Sequence, residues 1–371
     1  MSERRRIEGY DLARGLAIWG MVTVHFRLVM AFHARQPAWL QSTLELLDGR
    51  AAALFVILAG IGIALRRAGS GTDNAFQKSA ETPAAAVAAR NDRQLLFRRG
   101  VFLLFVGFLN LMIWKGDILR VYGISLFVAS IMIRAPDRTL LVAAALFLLG
   151  FLLLIGVADY NSEWNWETFD YNNLWTIRGA VRNLFFNGFR SVFPWTGLFL
   201  FGIWIGRRLV SSQIHAGRLL GWSLSVALLT EVASALMVRF FRAHSGGLDD
   251  SGIVALFGTV SMPPLPPFLL AAGATSLAVI AASLMIAARY PDAFPVRAVV
   301  ACGQMAFTWY VVHIVIGLGS LVALGLTDNQ TLATAVWMAA FFFAGISLIS
   351  LAIRAAGRRG PLEWLMRKVA G

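Results

Sequence analysis

Three ionisable side chains in the first apolar segment could bind a charged ligand or move a proton: Asp11, Arg14 and His25. Ionisable groups are costly in a hydrocarbon layer, so those found there are candidates for function and should face other helices or a water-filled cavity. Arg14 and His25 are eleven residues apart, which in an α-helix places them on one face at a separation of about 16 Å. A histidine can remove a proton near neutral pH, because its ordinary pKa is about 6.5.

The spacing of Arg14 and His25 fits a ligand whose charged head lies near the membrane surface while its reactive end reaches into the bilayer. Acyl-coenzyme A has this shape, with phosphates at one end and a thioester on a long arm. Each residue also has a structural alternative. Arg14 can extend to the interface and pair with Asp11 three residues earlier, and His25 can be a neutral histidine hydrogen-bonded to a neighbouring helix.

Two further histidines are weaker candidates. His33 follows the first apolar segment, where a solvated loop histidine is an equally good interpretation. His313, in TWYVVHI, shares a helical face with Trp309 and Cys302, and this position favours a structural role.

An acid and an arginine, Asp48 and Arg50, directly precede the apolar run AAALFVILAGIGIAL. They can orient a histidine imidazole or bind a polar acceptor at the external end of the second helix. Alternatively, Asp48 caps the helix N-terminus and Arg50 lies among lipid headgroups. A third polar group, WKGDI at residues 114–118, is interpreted as a tight external turn in which Gly116 and Asp117 have ordinary turn roles.

The elements that must position these residues are helices in a membrane. Of the 371 residues, 58% are hydrophobic and only 14% charged, and the mean hydropathy is +0.68, whereas a soluble domain carries about a quarter charged residues. Apolar runs near the ~20 residues that cross a ~30 Å hydrocarbon core are predicted at Leu12–Phe32, Gly49–Leu65, Gly100–Trp114, Ile118–Ile133, Thr139–Ala158, Val192–Gly206, Leu219–Val238, Pro264–Ala288, Val299–Leu324 and Leu332–Ile353. We therefore expect an all-α integral membrane protein, a single polytopic domain over residues 1–371 with about ten transmembrane helices.

The distribution of basic residues gives the expected orientation. The net charge of +13 comes from short Lys and Arg clusters between apolar runs and not from one helix face, which argues against nucleic acid as a partner. Most of these residues fall on one side of the membrane if both termini are cytoplasmic, as the positive-inside rule requires. The number of spans is then even.

Two connections between the predicted spans are long. Residues 68–92 are polar, rich in small residues and without pattern, which predicts a flexible cytoplasmic loop. Residues 159–190 are predicted to be external: YNSEWNWETFDYNNLW mixes aromatics with amides and acids, and IRGAVRNLFFNGF is typical of an interfacial amphipathic helix. The aromatic and amide side chains can bind a sugar, or they can form an aromatic belt at the membrane surface.

Motifs for several other chemistries are absent from the sequence. There is no GxxxxGK[ST] phosphate loop and no HExxH, and the single cysteine, Cys302, can form neither a disulfide framework nor a cysteine metal site. We therefore predict neither nucleotide hydrolysis nor a bound metal. The two halves also lack matching interrupted helices, the sequence signal of a secondary transporter.

Four segments, in order, resemble the YeiB-like bacterial membrane proteins: IEGYDLARGLAIWGMVTVH, DGRAAALFVILAGIGIAL, WKGDILRVYGI and CGQMAFTWYVVH. That family is grouped with the transmembrane acyltransferases that include heparan-α-glucosaminide N-acetyltransferase. The resemblance implies a multi-pass protein of the bacterial cytoplasmic (inner) membrane. It also implies that cytoplasmic acetyl-CoA, or another acyl-CoA, is used to acylate an extracytoplasmic sugar or glycolipid acceptor.

The resemblance also implies roles for particular residues. His25 or His33 is the expected general base, assisted by Asp48. Binding of the acyl donor is expected from Arg14, Asp11 and Arg50. The two histidines remain alternatives. The heparan enzyme branch resembles this chain but has asparagine at the position of His25, and its working histidine comes about ten residues later, near the position of His33.

Two other functions remain open for the same residues. In a transporter or flippase for a lipid-linked or polar solute, the intramembrane charges would line the path of the solute. In a non-catalytic membrane partner, the fold would be retained without the reaction. Membrane lipid is a partner in every case, and a homo-oligomer is compatible with the sequence.

The basic residues generate a topology prediction. Reporter fusions at the N-terminus and at the C-terminus should both report a cytoplasmic location, because the excess of Lys and Arg lies on that side. The measurement is a fluorescent reporter that folds only in the cytoplasm, paired with alkaline phosphatase, which is active only outside it. Phosphatase activity at the C-terminus would mean an odd number of spans.

Overall fold

The computed structural model describes residues 7–31, 37–69, 83–244, 247 and 249–371. Their helices are α1 Glu8–Met30, α2 Ala38–Glu45, α3 Arg50–Gly69, α4 Pro83–Leu111, α5 Leu119–Met132, α6 Asp137–Val157, α7 Ile177–Arg182, α8 Val192–Val210, α9 Ala216–His244, α10 Asp250–Phe257, α11 Pro266–Arg289, α12 Phe294–Gln304, α13 Ala306–Val312, α14 Gly319–Ala323, α15 Leu332–Ala355 and α16 Pro361–Ala370. Two π-helical turns, Asn183–Asn187 and His313–Leu318, lie between helices. Two-residue strands, β1 Trp164–Asn165 and β2 Asp170–Tyr171, pair antiparallel, with Trp164 opposite Tyr171.

Each of the ten predicted apolar runs corresponds to one or more helices, with non-helical residues at several ends and a break in the ninth run. In the described part of the chain, eight helices are long and apolar enough to cross a membrane. Of the other two predicted spans, α5 has only 14 residues, and α8 has non-helical backbone at Phe193, since a residue before proline is pushed out of the helical region. The prediction of an all-α membrane protein is confirmed.

The predicted loop at residues 68–92 differs from the structure. Helix α3 continues to Gly69 and α4 already begins at Pro83, so residues 83–92 are helical. Alanine has the highest helix propensity, and the segment PAAAVAAR contains five of them after a proline at the first helical position. The remaining residues of the predicted loop, 70–82, lie outside the described part of the chain.

The chain divides into two compact units, of which unit 1 falls within Met1–Phe55, Ala216–Ala233 and Leu270–Leu365. Its centre is the packing of α1 against α12, α13 and α15. The backbones of α1 and α12 touch: a Cβ on Gly303 would lie 1.8 Å from the Asp11 carbonyl oxygen, and one on Gly15 would lie 2.4 Å from the Val299 carbonyl oxygen. Small residues allow this approach, which in a membrane gains van der Waals contact between helices.

The ninth predicted span, Val299–Leu324, is not one continuous helix. Helix α12 ends at Gln304, Met305 has φ −116° and ψ 29°, and α13 starts at the next residue. The break exposes backbone N–H groups, which need partners in a low-dielectric environment. Glu363 of α16 supplies them, accepting from the Phe307 amide at 2.8 Å, from the Thr308 amide at 3.1 Å and from the Thr308 hydroxyl at 2.5 Å.

Unit 2 falls within Val56–His215, Ser234–Leu269 and Met366–Gly371. Helix α4 packs on α5, and α8 packs on both α5 and α6. The predicted external segment, residues 159–190, contains the short hairpin β1–β2, helix α7 and the first π-helical turn. The segment predicted as an amphipathic helix is helical from Ile177 to Asn187, with α7 continuing directly into the π-helical turn.

The contact at Gly303 generates a stability prediction. Gly303→Ala places a methyl group against backbone that cannot move aside, so it should lower the melting temperature, at a cost of about 1–3 kcal/mol or more. Gly273→Ala is the matched control, because in the part of the chain that the structure describes no neighbouring atom lies within 4 Å of a Cβ added to that helical glycine. There alanine should be neutral or slightly stabilising. Equal melting temperatures for the two purified variants would contradict the close contact of α1 with α12.

Candidate functional site

Two buried histidines meet in unit 1. Nδ1 of His25 lies 2.9 Å from Nε2 of His313, and the two rings are nearly parallel, with centroids 5.1 Å apart and an interplanar angle of 21°. Nδ1 of His313 lies 3.0 Å from the Trp309 carbonyl oxygen. A carbonyl only accepts, so Nδ1 of His313 carries the hydrogen.

This arrangement determines the tautomers of the neutral pair. Since Nδ1 of His313 donates to the carbonyl, its Nε2 is the acceptor, and Nδ1 of His25 must be the donor. The basic lone pair of His25 therefore lies on Nε2. A protein that fixes the tautomer of one imidazole through another group in this way determines which nitrogen can take up a proton.

Local structure around His313 explains its position. The residue begins the π-helical turn His313–Leu318 that follows α13, and such turns are frequent at functional sites. One turn earlier, Trp309 donates its indole N–H to the Ser350 hydroxyl of α15 at 2.7 Å. Tyr310 lies edge-on to the imidazole with centroids 5.5 Å apart. The indole hydrogen bond anchors Trp309, whose carbonyl accepts from His313, and the Tyr310 ring packs against the imidazole.

Asp48 is paired with Arg27. One guanidinium nitrogen of Arg27 lies 2.6 and 2.5 Å from the two carboxylate oxygens, and 11% of the Arg27 side chain and 28% of the Asp48 side chain are exposed. Asp48 was predicted to orient a histidine or to cap a helix. The structure gives it an ion pair with the residue two positions after His25. Arg27 was not singled out in the sequence, although its place near the end of an apolar run was a usable signal.

Arg50 is paired with Glu231 of α9. The sequence suggested donor binding or a headgroup contact for Arg50 and did not single out Glu231. A search for acids inside apolar runs would have found Glu231, which stands in LLTEVASA. Unit 1 therefore contains six polar residues in three paired contacts: His25, His313, Arg27, Asp48, Arg50 and Glu231.

Asp11 and Arg14 form the ion pair that was one of the two interpretations of Arg14. Nη1 of Arg14 lies 2.7 Å from the Asp11 carboxylate, and Gln304 donates to the other carboxylate oxygen at 3.4 Å. Asp11 is 1% exposed, whereas a quarter (25%) of the Arg14 side chain is accessible. The pair therefore leaves part of the Arg14 side chain accessible. His33 lies outside the described residues.

In unit 2, Asp117 and Arg120 form a buried cluster where the sequence predicted only a turn. Nε of Arg120 lies 3.5 Å from the Asp117 carboxylate, and the two side chains are 1% and 0% exposed. Asn110 donates to Asp117 at 2.8 Å, and Arg120 donates to Asn183 at 3.0 Å. The motif GDILR thus ties the turn between α4 and α5 to the π-helical turn after α7.

The predicted sugar-binding side chains are largely used within the external segment. Asn187 accepts from the Tyr171 hydroxyl at 2.8 Å, and the Asn187 carbonyl accepts from the Trp164 indole at 2.6 Å. Burial raises the pKa of Tyr171 to about 12, so the hydroxyl stays protonated as the donor. Of the loop tryptophans, Trp175 is open to a ligand, with 61% of its surface exposed.

Two family models match the chain. The model described as heparan-alpha-glucosaminide N-acetyltransferase, catalytic, matches residues 6–241. The model described as a protein of unknown function, DUF418, matches residues 210–371. The chain is a YeiB-like member of the transmembrane acyltransferase superfamily. Comparison with curated proteins gives no match.

The structure places the four segments on which the YeiB-like resemblance rested at distinct parts of the molecule. The first forms α1 with His25, and the second starts at Asp48 and continues as α3. The third contains the buried Asp117–Arg120 cluster, and the fourth contains the helix break and His313. Within the described ranges, no group of three or more His, Cys, Asp or Glu side chains could hold a metal ion.

The Asp117–Arg120 pair generates a prediction about stability. Removing one partner leaves a buried charge uncompensated, so Asp117→Leu or Arg120→Met alone should cost about 3–5 kcal/mol. The double variant should lose clearly less than the sum of the two, because it removes both charges. Unfolding of the three purified variants measures the coupling. Additive losses would show that the pair acts through other contacts.

Proposed function

We propose that this YeiB-like protein is an acyl-CoA-dependent membrane acyltransferase. It moves an acyl group, acetyl in the first instance, from cytoplasmic acyl-CoA to a hydroxyl or amine of an extracytoplasmic carbohydrate or glycolipid. Membership of an acetyltransferase-like membrane family supports the reaction class. The observation that carries the proposal is the His25–His313 pair, whose hydrogen bonds make Nε2 of His25 the basic atom.

In the proposed reaction, the oxygen or nitrogen of the acceptor bonds to the acyl carbon. As it does so, Nε2 of His25 accepts the proton of that hydroxyl or amine. The carbon–sulfur bond then breaks, and the same proton passes from Nε2 to the leaving thiolate. Free coenzyme A leaves, the acyl group is on the acceptor, and His25 is neutral again. His313 is a positioning residue: it accepts from Nδ1 of His25 and stabilises the imidazolium formed during the transfer.

The remaining candidates have supporting roles in the proposal. Arg14 contacts the charged or amide part of the acyl donor, and Asp11 orients its guanidinium through their 2.7 Å pair. Arg50 starts α3 on the external side, where it pairs with Glu231 and contacts the polar acceptor rather than the donor's phosphates. Asp48 acts through Arg27, whose ion pair holds the end of α1 that carries His25. His33 is the alternative base.

The expected topology gives the proposal its direction. With both termini in the cytoplasm, α1 enters the bacterial inner membrane from the cytoplasm, so Arg14 lies near the donor side. His25 lies about two thirds of the way across. An acyl group on the long arm of coenzyme A can reach that depth while its phosphates stay in water.

A transporter or flippase is the second candidate, and one observation favours it. Helix breaks inside spans line the binding sites of secondary transporters, and α12–α13 is interrupted at Met305 next to the Asp11–Gln304 contact. Acyl-CoA thioester hydrolysis or acyl transfer by the purified protein would favour the enzyme. Solute movement in proteoliposomes without thioester cleavage would favour the transporter.

The proposed mechanism predicts the behaviour of His25→Ala. The variant should lose about 10²- to 10⁴-fold in acyl-CoA turnover, because a general base is removed. Its affinity for acyl-CoA should stay near wild type, while loss of the buried hydrogen bond to His313 should cost about 1–3 kcal/mol of stability. Release of coenzyme A thiol from the purified protein measures turnover, and thermal unfolding measures stability. A purely structural histidine would show the same loss of stability, but the folded variant would keep its turnover.

Three other variants complete the test. His313→Gln keeps an acceptor for His25 and should retain more activity than His313→Ala, which should also change the pH dependence of turnover. His33→Ala is the matched control and should remain active. A dead His33 variant beside an active His25 variant would move the base to His33 and leave the family unchanged. Full activity in both would refute the mechanism.

A further inference from the structure

A pocket rich in arginine lies entirely within unit 2. Its volume is about 500 Å³, and it lies where α3, α5 and α8 end and α6 begins. Its lining is Arg67, Arg134, Ala135, Pro136, Asp137, Arg207, Arg208, Val210, Ser211 and Gln213. The positive-inside topology places all three helix ends on the cytoplasmic side of the membrane.

Backbone carbonyls hold two of the arginines in place. Arg67 donates to the Ile133 carbonyl, and Arg207 donates to the Ile133 and Ala135 carbonyls at 3.3 and 2.8 Å. These carbonyls follow the last turn of α5, the negative end of the helix dipole. The guanidinium groups are therefore fixed before any ligand arrives, which reduces the entropy cost of binding.

The pocket has more positive charge than its own acid can balance. Asp137 accepts from Arg207 at 3.0 Å and from Arg208 at 3.1 Å, and it is the single carboxylate among the lining residues. Four arginines against one aspartate leave three positive charges. Nε of Arg208 is buried, and no hydrogen-bond partner for it lies among the described residues. Planar guanidinium groups match the oxygens of a phosphate, which can accept two N–H bonds from one arginine.

Topology and helix capping explain only part of this arrangement. The positive-inside rule requires arginines near helix ends, but it does not require four of them to line one concavity. Capping of α5 employs Arg67 and Arg207. Arg208 donates to Asp137 and, at 2.6 Å, to Gln213. The cap therefore accounts for two of the four arginines that line the pocket. A ligand of opposite charge accounts for their convergence.

We propose that this pocket binds a phosphate-bearing anion with at least two negative charges on the cytoplasmic side of the membrane. Two sources have this chemistry. One is the phosphorylated nucleotide end of acyl-CoA, and this source rests on the proposed acyl transfer. The other is the headgroup of an anionic phospholipid at the level of the helix ends, which is independent of any reaction.

The test measures binding directly, so it does not depend on turnover. Adenosine 3′,5′-bisphosphate and coenzyme A are titrated against the detergent-purified full chain, and cardiolipin retention is measured by native mass spectrometry after exchange from phosphatidylcholine nanodiscs. Arg208→Gln and Arg134→Gln should each weaken one of these interactions about 10- to 100-fold. Arg138→Gln is the matched control, because this exposed arginine of the same segment does not line the pocket.

The outcomes separate the two sources and separate this inference from the proposed function. Loss of nucleotide binding in the pocket variants alone supports the acyl-CoA source, and loss of cardiolipin alone supports the lipid source. Unchanged binding in both pocket variants, or an equal loss in Arg138→Gln, refutes the proposal that the pocket binds the anion. If Arg14→Ala loses coenzyme A binding and both pocket variants keep it, the nucleotide end of acyl-CoA is not the ligand of the pocket. If the protein binds the anion through the pocket but cleaves no thioester, the anion site is supported and the acyltransferase proposal fails.

Discussion

The contact between the backbones of α1 and α12 determines where most of the polar residues of unit 1 lie. Gly303 and Gly15 let the two helices approach until carbonyl oxygens occupy the space of missing side chains. One helix carries Asp11, Arg14 and His25, and the other continues through Gln304 toward His313. The register of this pair therefore brings Gln304 to Asp11 at one level and His313 to His25 at another. Lipid provides little hydrophobic driving force between helices, so close packing has to supply the specificity.

Much of the fold could be predicted from hydropathy because a bilayer permits so few alternatives. Every backbone polar group must be satisfied within the span, so a sufficiently long apolar run becomes a helix. The interruption at Met305 could not be predicted this way, since its amides are satisfied by Glu363, 56 residues away from Phe307. The buried Asp117 was missed for a similar reason. Its position looks like an exposed turn until Asn110 and Arg120 are seen around it.

Part of the candidate site could also be predicted from the sequence, for a physical reason. Asp11, Arg14 and His25 stand out because charge inside an apolar run is expensive. The same rule covers Glu231 and Arg27, which lay in apolar runs and could have been found by applying it to every span. His313 is different, because its significance rests on a contact with His25 across 288 residues. No local pattern around TWYVVHI shows which nitrogen of either ring carries a hydrogen.

The Glu363 cap has a consequence for how the protein is made. The first helix enters the membrane early in synthesis with His25 already in place, but its partner histidine arrives about 290 residues later. The helix that carries this partner has its exposed amides satisfied only after α16 has been translated. A nascent chain therefore contains both histidines before the amides of Phe307 and Thr308 have their acceptor. Incomplete chains that stop before Glu363, including those from stalled ribosomes, would insert in the membrane with these two amides uncapped.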